Sequence, residues 1–318
     1  MADKYLGVDI GGTAIKIGTV DQTGKVSGIE TFSDNFDGYD TPILTTVIKS
    51  ITEYEDKYDI ADGSIRGIGV SATGGIDTKN GVVSGCAGHI KNWEGSQVGR
   101  ELENRFHADT CVINDANAAA LGEVWIGAAK GRKDVVAVTV GTGIGGGIIV
   151  DGNILLGAHG FAGEIGHFPI QCEGEECTCG NIGCLEHYAS TTALVKMVRS
   201  KVADGTITGY VGEVNGKTIF EQIRNGNKKV ESVTDRWIGY FAAGIIGYVH
   251  TFNPGLVLIG GGVSAQKELF IDKVRDRVLT HVMPRFADNL EIRAAELGNE
   301  AGIVGAVYYL IRHGKGYI

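Results

Sequence analysis

The sequence predicts an α/β fold of two facing domains with a ligand cleft between them. A strand, a glycine turn and a second strand occur near the start of the chain and again around Gly141, which indicates two related units. The 50 glycines concentrate in such turns between apolar runs. With 318 residues, 43% of them hydrophobic, the chain is long enough to bury two cores. A cleft between two such domains is the natural place for a small ligand.

Both repeats are predicted from the same pattern of short apolar runs separated by glycines. The first turn reads DIGGT from Asp9, and the second reads GTGIGGG from Gly141. Each second strand is followed by a short acidic turn, which closes the pattern. The predicted strands are residues 5–10, 15–20, 135–140 and 148–150, around turns at 11–13 and 141–147.

The segments after each repeat supply the remaining elements. Residues 41–58 repeat apolar side chains at close to 3.6 positions and predict an amphipathic helix. Short apolar runs at 68–71 and 111–113 predict strands, and the second run delivers Asn114 and Asp115 to the start of an alanine-rich helix. Ligands of open α/β sheets collect at this end of the strands.

The second half predicts a buried helix at 234–250, a strand at 256–259, and a last helix from about Gly302 that folds back onto the first domain. We therefore expect mixed sheets with helices on both faces. The predicted domains are a smaller one of residues 1–115 with 301–318 and a larger one of residues 116–300, which carries the cysteine-rich segment.

The charge and the chain's apolar segments exclude several classes of partner. A formal net charge of -9 and the lack of a basic run argue against nucleic acid. No basic leader with an apolar stretch opens the sequence, and no apolar run approaches a membrane span. We therefore expect a cytoplasmic protein that binds small molecules, with its six cysteines free or bound to metal.

The segment from Gly163 to Glu186 predicts a structural zinc site. One imidazole and three thiolates satisfy tetrahedral zinc, and CxC followed by CGxxGC is typical of metal sites. The candidate ligands are His167, Cys177, Cys179 and Cys184. Cys172 could replace His167 as the fourth ligand, and incidental thiols or disulfides are the alternative without metal. A zinc-bound His167 would keep its second ring nitrogen for a ligand, between Glu164 and Glu186.

The two glycine turns are candidates for binding phosphate. Consecutive glycines expose backbone amides to phosphate oxygens, and turns from opposite domains would clamp a polyphosphate. The alternative is a pair of tight hairpins without a ligand. A nicotinamide site is excluded by context, because the GxGxxG pattern at Gly141 leads into a strand rather than a helix.

Asp115 is the candidate catalytic residue. Phosphoryl transfer requires a base that accepts the proton of the attacking hydroxyl, and a carboxylate at a strand end suits that role. Asp115 would also serve as an N-cap of the following helix. Asn114 could bind a sugar hydroxyl or the local backbone. Paired carboxylates also occur in glycoside hydrolases, but the phosphate-type turns would then have no purpose.

Taken in order, these motifs make the chain resemble the ROK family of bacterial sugar kinases and repressors. The quoted segments are DIGGT, the Asn114 and Asp115 pair, GTGIGGG, GEIGH, CTCGNIGCLE and IGGG. The resemblance implies a two-lobed actin-like fold, related to ribonuclease H and hexokinase, with ATP in the interdomain cleft. One position departs from the family pattern. Many members have a lysine directly after the threonine of this turn, whereas this chain has Ala14 there and a lysine two residues later, at Lys16.

The resemblance also implies a role for each residue of the site. Asp115 is the base, and the sugar contacts are Asn114, Asp115, Glu164, His167 and Glu186. Zinc is bound by His167, Cys177, Cys179 and Cys184. The phosphates and Mg²⁺ contact Asp9, Gly11, Gly12, Thr13, Gly141, Thr142 and Gly143, and the adenosine lies beside Gly260, Gly261 and Gly262.

The predicted activity is ATP-dependent phosphorylation of a hexose at its 6-hydroxyl, as in glucokinases. N-acetylmannosamine or a β-glucoside is an alternative substrate within the family. A sugar-responsive repressor is a second hypothesis, but it requires a DNA-binding extension, and DIGGT already begins at Asp9. A zinc hydrolase is a third. The resemblance also implies a homodimer.

Overall fold

The computed structural model describes residues 4–34, 37–61, 63–85 and 90–315. Two five-stranded mixed sheets dominate it, and both have the same arrangement of strands. The strands of the first sheet and the helices beside them are β1 (Lys4–Ile10), β2 (Ala14–Asp21), β3 (Val26–Ser33), α1 (Ile43–Lys57), β4 (Gly67–Ala72), α2 (Val98–Phe106) and β7 (Asp109–Asn114). A separate hairpin follows β4 and consists of β5 (Gly75–Asp77) and β6 (Val82–Gly85).

The second sheet is flanked by most of the helices. Its strands are β8 (Val135–Val140), β9 (Ile144–Val150), β10 (Asn153–Ile154), β11 (Leu256–Gly260) and β12 (Glu291–Ala294). The helices between them are α4 (Glu186–Ala189), α5 (Thr191–Ala203), α6 (Gly216–Arg224), α7 (Lys228–Phe252), α8 (Asp272–His281) and α9 (Pro284–Ala287). Two further helices lie between the sheets, α3 (Asp115–Trp125) and α10 (Ala301–His313).

The internal repeat predicted from the sequence is present in the strand order. The first sheet runs β3-β2-β1-β4-β7 and the second runs β10-β9-β8-β11-β12. In each sheet, the first three strands in chain order are antiparallel neighbours. The fourth strand pairs in parallel with the first, and the fifth pairs in parallel with the fourth. The two glycine turns therefore occupy equivalent positions, at the ends of β1 and β8.

Helices α3 and α10 join the two sheets through close backbone packing. Helix α3 contacts strands of both sheets, while α10 packs against α3 and the first sheet, as the sequence predicted for the last helix. A Cβ on Gly305 would lie 1.6 Å from the carbonyl oxygen of Ala118, and one on Gly122 would lie 2.6 Å from that of Ala301. Glycine is required at both positions because a larger residue would separate the helices. The domain boundaries 1–115, 116–300 and 301–318 stay a prediction.

The second glycine turn is shorter than the sequence predicted. It spans Gly141 to Gly143, and β9 begins at Ile144 rather than Ile148. The remaining glycines of GTGIGGG lie inside this strand and make room for neighbours. A Cβ on Gly147 would lie 2.5 Å from the Cβ of Ala120 in α3, and one on Gly146 would lie 2.3 Å from Ile165. Their small size allows α3 and Ile165 to pack closely against β9.

Among the residues that the structure describes, we find no helix with the length and apolar character needed to cross a bilayer. The longest of the described helices, α7, packs against the second sheet with one side buried in the protein core. Its buried side chains include Trp237, Phe241 and Ile245, and Trp237 donates a hydrogen bond to the carbonyl oxygen of Ser190 over 2.9 Å.

Candidate active site

A cavity of about 650 Å³ lies in the cleft between the two sheets. The turn after β1 and the turn after β8 face each other across it, and the starts of α3 and α10 complete its wall. The residues from the sequence prediction on this wall are Asp9, Gly11, Gly12, Asp115, Gly141, Thr142, Gly143, Glu164, His167, Glu186 and Gly261. Thr13 is exposed and does not line the cavity.

Asp9 is held in a fixed orientation at the carboxyl end of β1. Ser71 Oγ donates to Asp9 Oδ1 over 2.7 Å, and Lys16 Nζ lies 3.4 Å from Oδ2. Lys16 is directly opposite Asp9 in the β1–β2 ladder and lines the same cavity. Residues two apart on a strand share a face, so a lysine at position 16 reaches the cleft from the same side as one at position 14 would.

The turn after β8 is anchored through its carbonyl oxygens. The backbone N–H of Thr191 donates to Gly141 O over 2.9 Å, and Thr192 Oγ1 donates to Thr142 O over 2.8 Å. Within the described residues, no hydrogen bond uses the backbone N–H groups of Thr142 and Gly143. Two donors at the edge of a cavity, on an anchored backbone, are suited to phosphate oxygens.

A second cavity, of about 590 Å³, continues from this turn past Gly262. Its other walls come from α5, α6 and the turn after β11, and they include Val195, Phe220 and Val263. Gly261 has a φ of +91°, and a Cβ there would lie 2.1 Å from Val140 O, so only glycine fits between β8 and β11. Of the predicted adenosine neighbours, Gly262 borders this cavity, whereas Gly260 borders a smaller one of about 260 Å³.

Asn114, rather than Asp115, is the N-cap of α3. Its Oδ1 accepts hydrogen bonds from the N–H groups of Ala116 and Asn117 over 3.0 and 3.2 Å, and its Nδ2 donates to Gly74 O over 3.0 Å. The alternative that Asp115 caps the helix is therefore wrong, because the last residue with extended backbone is Asn114. The acceptor oxygen of Asn114 is used by the backbone, which leaves one amide hydrogen for a ligand.

Asp115 lies in the first turn of α3, where the 650 Å³ cavity meets a smaller pocket. Burial raises the pKa of Asp115 to about 6, although the N–H of Ala116 lowers it by donating to Oδ1 over 2.8 Å. The negative charges of Asp9 and Glu164 also raise this pKa. A carboxylate with such a pKa is a good proton acceptor near neutral pH.

The smaller pocket, of about 160 Å³, contains the predicted sugar ligands Asn114, Asp115, Glu164 and His167. Its mouth is covered by the loop before Glu164, which crosses to the β5–β6 hairpin. A Cβ on Gly75 would lie 2.2 Å from the ring of Phe161, and one on Gly160 would lie 2.4 Å from Ile76 O. This volume holds about five water molecules at roughly 30 Å³ each, so the pocket suits one monosaccharide better than an oligosaccharide.

Glu186 lies between this pocket and the turn after β8. Its Oε2 accepts a hydrogen bond from the N–H of Ile144 over 2.8 Å, and a Cβ on Gly143 would lie 2.3 Å from the same oxygen. Glu186 lines the larger cavity but not the small pocket. Burial and the charge of Glu186 raise the pKa of Glu164, whereas His167 lowers it. Glu186 thus supports the turn after β8 through Oε2, and among the described residues its Oε1 accepts no hydrogen bond.

The thiols and His167 form one cluster beside the pocket. The ligand atoms of His167, Cys177, Cys179 and Cys184 all lie within 4.8 Å of one another, whereas Cys172 is exposed and outside the group. Cys179 Sγ is 3.7 Å from Cys184 Sγ, and Cys177 Sγ is 3.5 Å from His167 Nδ1. Tetrahedral zinc with Zn–S of about 2.3 Å and Zn–N of about 2.0 Å requires about 3.8 Å between two sulfurs and about 3.5 Å between sulfur and nitrogen. The donor set fits zinc.

The imidazole of His167 lies between the thiol cluster and the small pocket. Nδ1 faces the thiols, while Nε2 lies 4.0 Å from Glu164 Oε2 on the pocket side. Tyr248 anchors the segment that carries His167, since its hydroxyl donates a hydrogen bond to the carbonyl oxygen of Ile165 over 2.5 Å. The histidine is thus placed with one nitrogen for a metal and one for a ligand.

Sequence reasoning missed several residues that line these cavities. Asn117 and Phe161 lie on the small pocket, and Thr191, Lys217 and Gln266 lie on the 590 Å³ cavity. Asn117 stands in the alanine-rich helix that follows Asp115, which reads ANAAALGEVW from Ala116, and a polar residue among alanines was the available signal. The others come from segments without a local pattern, so only their tertiary placement identifies them.

Comparison with known proteins gives matches along almost the whole chain. The family model described as "ROK family" matches residues 5–313. A glucokinase from Thermotoga maritima is 33% identical over 95% of this chain and 96% of its own length. A xylose repressor from Caldicellulosiruptor bescii is 30% identical over 97% of this chain and 78% of its own length.

A solved structure gives the same likeness in three dimensions. The ROK family glucokinase from Streptomyces griseus in complex with glucose and AMPPNP has a TM-score of 0.80 and 31% identity, covering 98% of this chain and 100% of that chain. The two-lobed, actin-like fold predicted from the family resemblance is therefore confirmed. The site residues stay a prediction, because a similarity in fold does not test them.

Proposed function

The chain belongs to the ROK family, and on that premise we propose that it is an ATP-dependent kinase acting on the 6-hydroxyl of a hexose, with glucose as the first candidate. The likeness to the Thermotoga maritima glucokinase and to the Streptomyces griseus glucokinase with glucose and AMPPNP supports this activity. The observation in this chain that carries the proposal is the position of Asp115, at the junction of a monosaccharide-sized pocket and the larger cleft cavity.

ATP would lie along the two larger cavities. Its adenosine would occupy the apolar space beside Gly262, with Phe220 and Val263 in contact, and its phosphates would meet the free N–H groups of Thr142 and Gly143. The carboxylate of Asp9 would hold Mg²⁺, which neutralises phosphate charge when bound. The shift of the family lysine to Lys16 keeps a positive charge on this side of the cleft.

The sugar would occupy the 160 Å³ pocket with its reacting hydroxyl toward Asp115. Glu164 and His167 Nε2 would bind further hydroxyls, and Asn114 would donate its remaining amide hydrogen. Asp115 accepts the proton as the hydroxyl oxygen forms its bond to phosphorus. Phe161 on the mouth of the pocket would exclude water, which competes with the sugar for the phosphoryl group.

The cysteine cluster would hold a structural Zn²⁺ through His167, Cys177, Cys179 and Cys184. All four positions of a tetrahedral ion are then filled by protein, so the metal would fix the segment and take no part in phosphoryl transfer. Its contribution to the site is the orientation of His167, whose Nδ1 is bound while Nε2 stays on the pocket side.

N-acetylmannosamine and β-glucosides remain alternative substrates, and homodimerisation and a cytoplasmic location remain predictions. The test is turnover of glucose, mannose, fructose, N-acetylmannosamine and a β-glucoside, measured with MgATP. We expect glucose to give the highest kcat/KM and glucose 6-phosphate to be the product. A preference for another sugar would correct the substrate, and phosphorylation of none of them, with specific binding of DNA instead, would favour a repressor.

The proposed base predicts a pH dependence. Asp115 must be ionised to accept a proton, and its pKa is raised to about 6. We therefore expect kcat/KM for the sugar to fall about tenfold per pH unit below that value and to be level above it. Nucleotide affinity, measured separately over the same range, corrects for protonation of ATP. A corrected profile that stays level down to pH 4.5 would contradict the assignment of Asp115.

A further inference from the structure

One polar group on the small pocket has no structural partner. Asn117, in the first turn of α3, is only 2% exposed, and its Oδ1 has no hydrogen-bond partner among the residues that the structure describes. Buried side-chain amides are nearly always paired, so an unpaired one requires an explanation. The side chain lines the same pocket as Asp115 and Glu164.

The backbone packs closely around the amide oxygen of Asn117. Gly163, with a φ of +101°, faces it, and a Cβ there would lie 3.4 Å from Asn117 Oδ1 and 2.8 Å from Gly146 O. Gly146 and Gly163 line the same pocket. The carbonyl oxygens nearby can accept from an amide nitrogen but cannot donate to its oxygen, so the pocket wall leaves part of the amide unsatisfied.

A role in the fold alone does not account for this side chain. The N–H of Asn117 serves the helix cap by donating to Asn114 Oδ1 over 3.2 Å, but that is a backbone group. Among the described residues no hydrogen bond involves the side-chain amide, whereas the neighbouring Asn114 uses both ends of its own. A buried, unpaired amide costs stability in the free protein, and a ligand that pairs with it recovers that cost on binding.

We propose that Asn117 binds the sugar directly, through a hydroxyl other than the one that is phosphorylated, and so helps to determine specificity. This inference rests on the proposed sugar-kinase function and adds a residue to that site. Residues two apart on a helix do not share a face, so Asp115 and Asn117 address different parts of the ligand. Asp115 meets the reacting hydroxyl, and the amide of Asn117 meets a second hydroxyl of the ring.

The first test uses Asn117→Ala and Asn117→Leu, the latter close in shape but without polar atoms. We expect KM for the sugar to rise about 10- to 100-fold, as for the loss of one buried hydrogen bond, with KM for ATP changed less than about twofold. The melting temperature without ligands should stay the same or rise, because an unpaired group is removed. Asn225→Ala, at an exposed asparagine, should change none of these values.

The second test identifies the hydroxyl by a cycle of substrate and protein changes. Wild type and Asn117→Ala are compared on glucose and on its 1-, 2-, 3- and 4-deoxy analogues. For one analogue the wild type should lose about as much kcat/KM as the variant loses on glucose, and combining the two changes should cost little more. This non-additivity would show a direct contact.

The outcomes separate the inference from the function on which it rests. Independent losses for every analogue, or a fall in melting temperature with equal changes in both KM values, would overturn the role of Asn117 while the wild type remains a kinase. A wild type that phosphorylates none of the sugars would overturn the proposed function, and the inference with it.

Discussion

Asp115→Asn should lower kcat for sugar phosphorylation by about 10³-fold, since a positioned general base contributes roughly 10²- to 10⁴-fold. Asparagine retains the size of the side chain and its acceptor for the N–H of Ala116, which Asp115 Oδ1 now binds over 2.8 Å. The affinity for sugar should therefore change by less than about tenfold. Steady-state turnover and calorimetric binding of the sugar, measured on the same preparation, check both statements.

The same substitution should stabilise the ligand-free protein above pH 6. The pKa of Asp115 is about 6 in the fold, above the value of about 3.9 in an unfolded chain. The folded state therefore holds its proton more tightly, and ionisation costs stability as the pH rises through this range. We expect a gain of roughly 1–3 kcal/mol for Asp115→Asn at pH 8 and little gain near pH 4.

Turnover and stability of Asp115→Asn, measured together, distinguish a catalytic role of the carboxylate from a role in folding. Loss of turnover in a variant that is at least as stable as the wild type cannot result from unfolding. Turnover within about tenfold of the wild type would contradict the assignment of Asp115 as the base, because that is below the contribution of a general base. A stability that falls on substitution would show that the carboxylate supports the fold instead.

Cys179→Ser should remove the metal and weaken sugar binding together. The four ligand atoms lie within 4.8 Å, so loss of one thiolate opens a closed tetrahedral site. Because His167 Nδ1 is then unconstrained, Nε2 loses its fixed position on the sugar pocket. We expect less than one zinc per chain, a rise in sugar KM of about 10- to 100-fold as for loss of a supporting metal contact, and a lower melting temperature.

Cys172→Ser is the matched control for this experiment. Cys172 is exposed and lies outside the cluster, so its substitution should leave zinc content, sugar KM and melting temperature unchanged. Affinity for ATP should be similar in both variants, because the cavity proposed for adenosine lies along α5 and α6. Loss of zinc in Cys172→Ser with retention in Cys179→Ser would show that the ligand set is wrong. Absence of metal from the wild type would refute the zinc site.

Some features of the site depend on local sequence alone and could be predicted. The two hairpins follow from apolar runs on either side of glycines. Asp9 was found near the end of the predicted strand 5–10, and Asp115 was found because it comes shortly after the predicted strand 111–113. The four clustered side chains, one histidine and three closely spaced cysteines, were predicted as zinc ligands because residues of one short segment stay near each other along the chain. Hydrophobic periodicity and the residue preferences of turns act over a few residues, so both can be recognised in a sequence.

Other features were missed because their signal is weak or absent in the chain. The edge strand β3 alternates half-buried and exposed residues and has no apolar run, so its pattern resembles a loop. The hairpin β5–β6 is too short for periodicity to show. Gly145 to Gly147 were assigned to a turn, whereas they lie in β9, because glycine permits either state and the packing of α3 decides.

The sequence by itself determined the repeated strand–turn–strand pattern, the clustering of His167 with three cysteines and the family, since each depends on neighbours along the chain. Only the tertiary structure decided that Asn114 is the cap and that Glu186 supports the turn at Gly143. It also decided that Asn117 lines the 160 Å³ pocket, with no partner for its Oδ1 among the described residues. The physical reason is that a side chain's partners across a cleft are set by the packing of distant segments, in which every contact competes with others for the same space and the same hydrogen bonds.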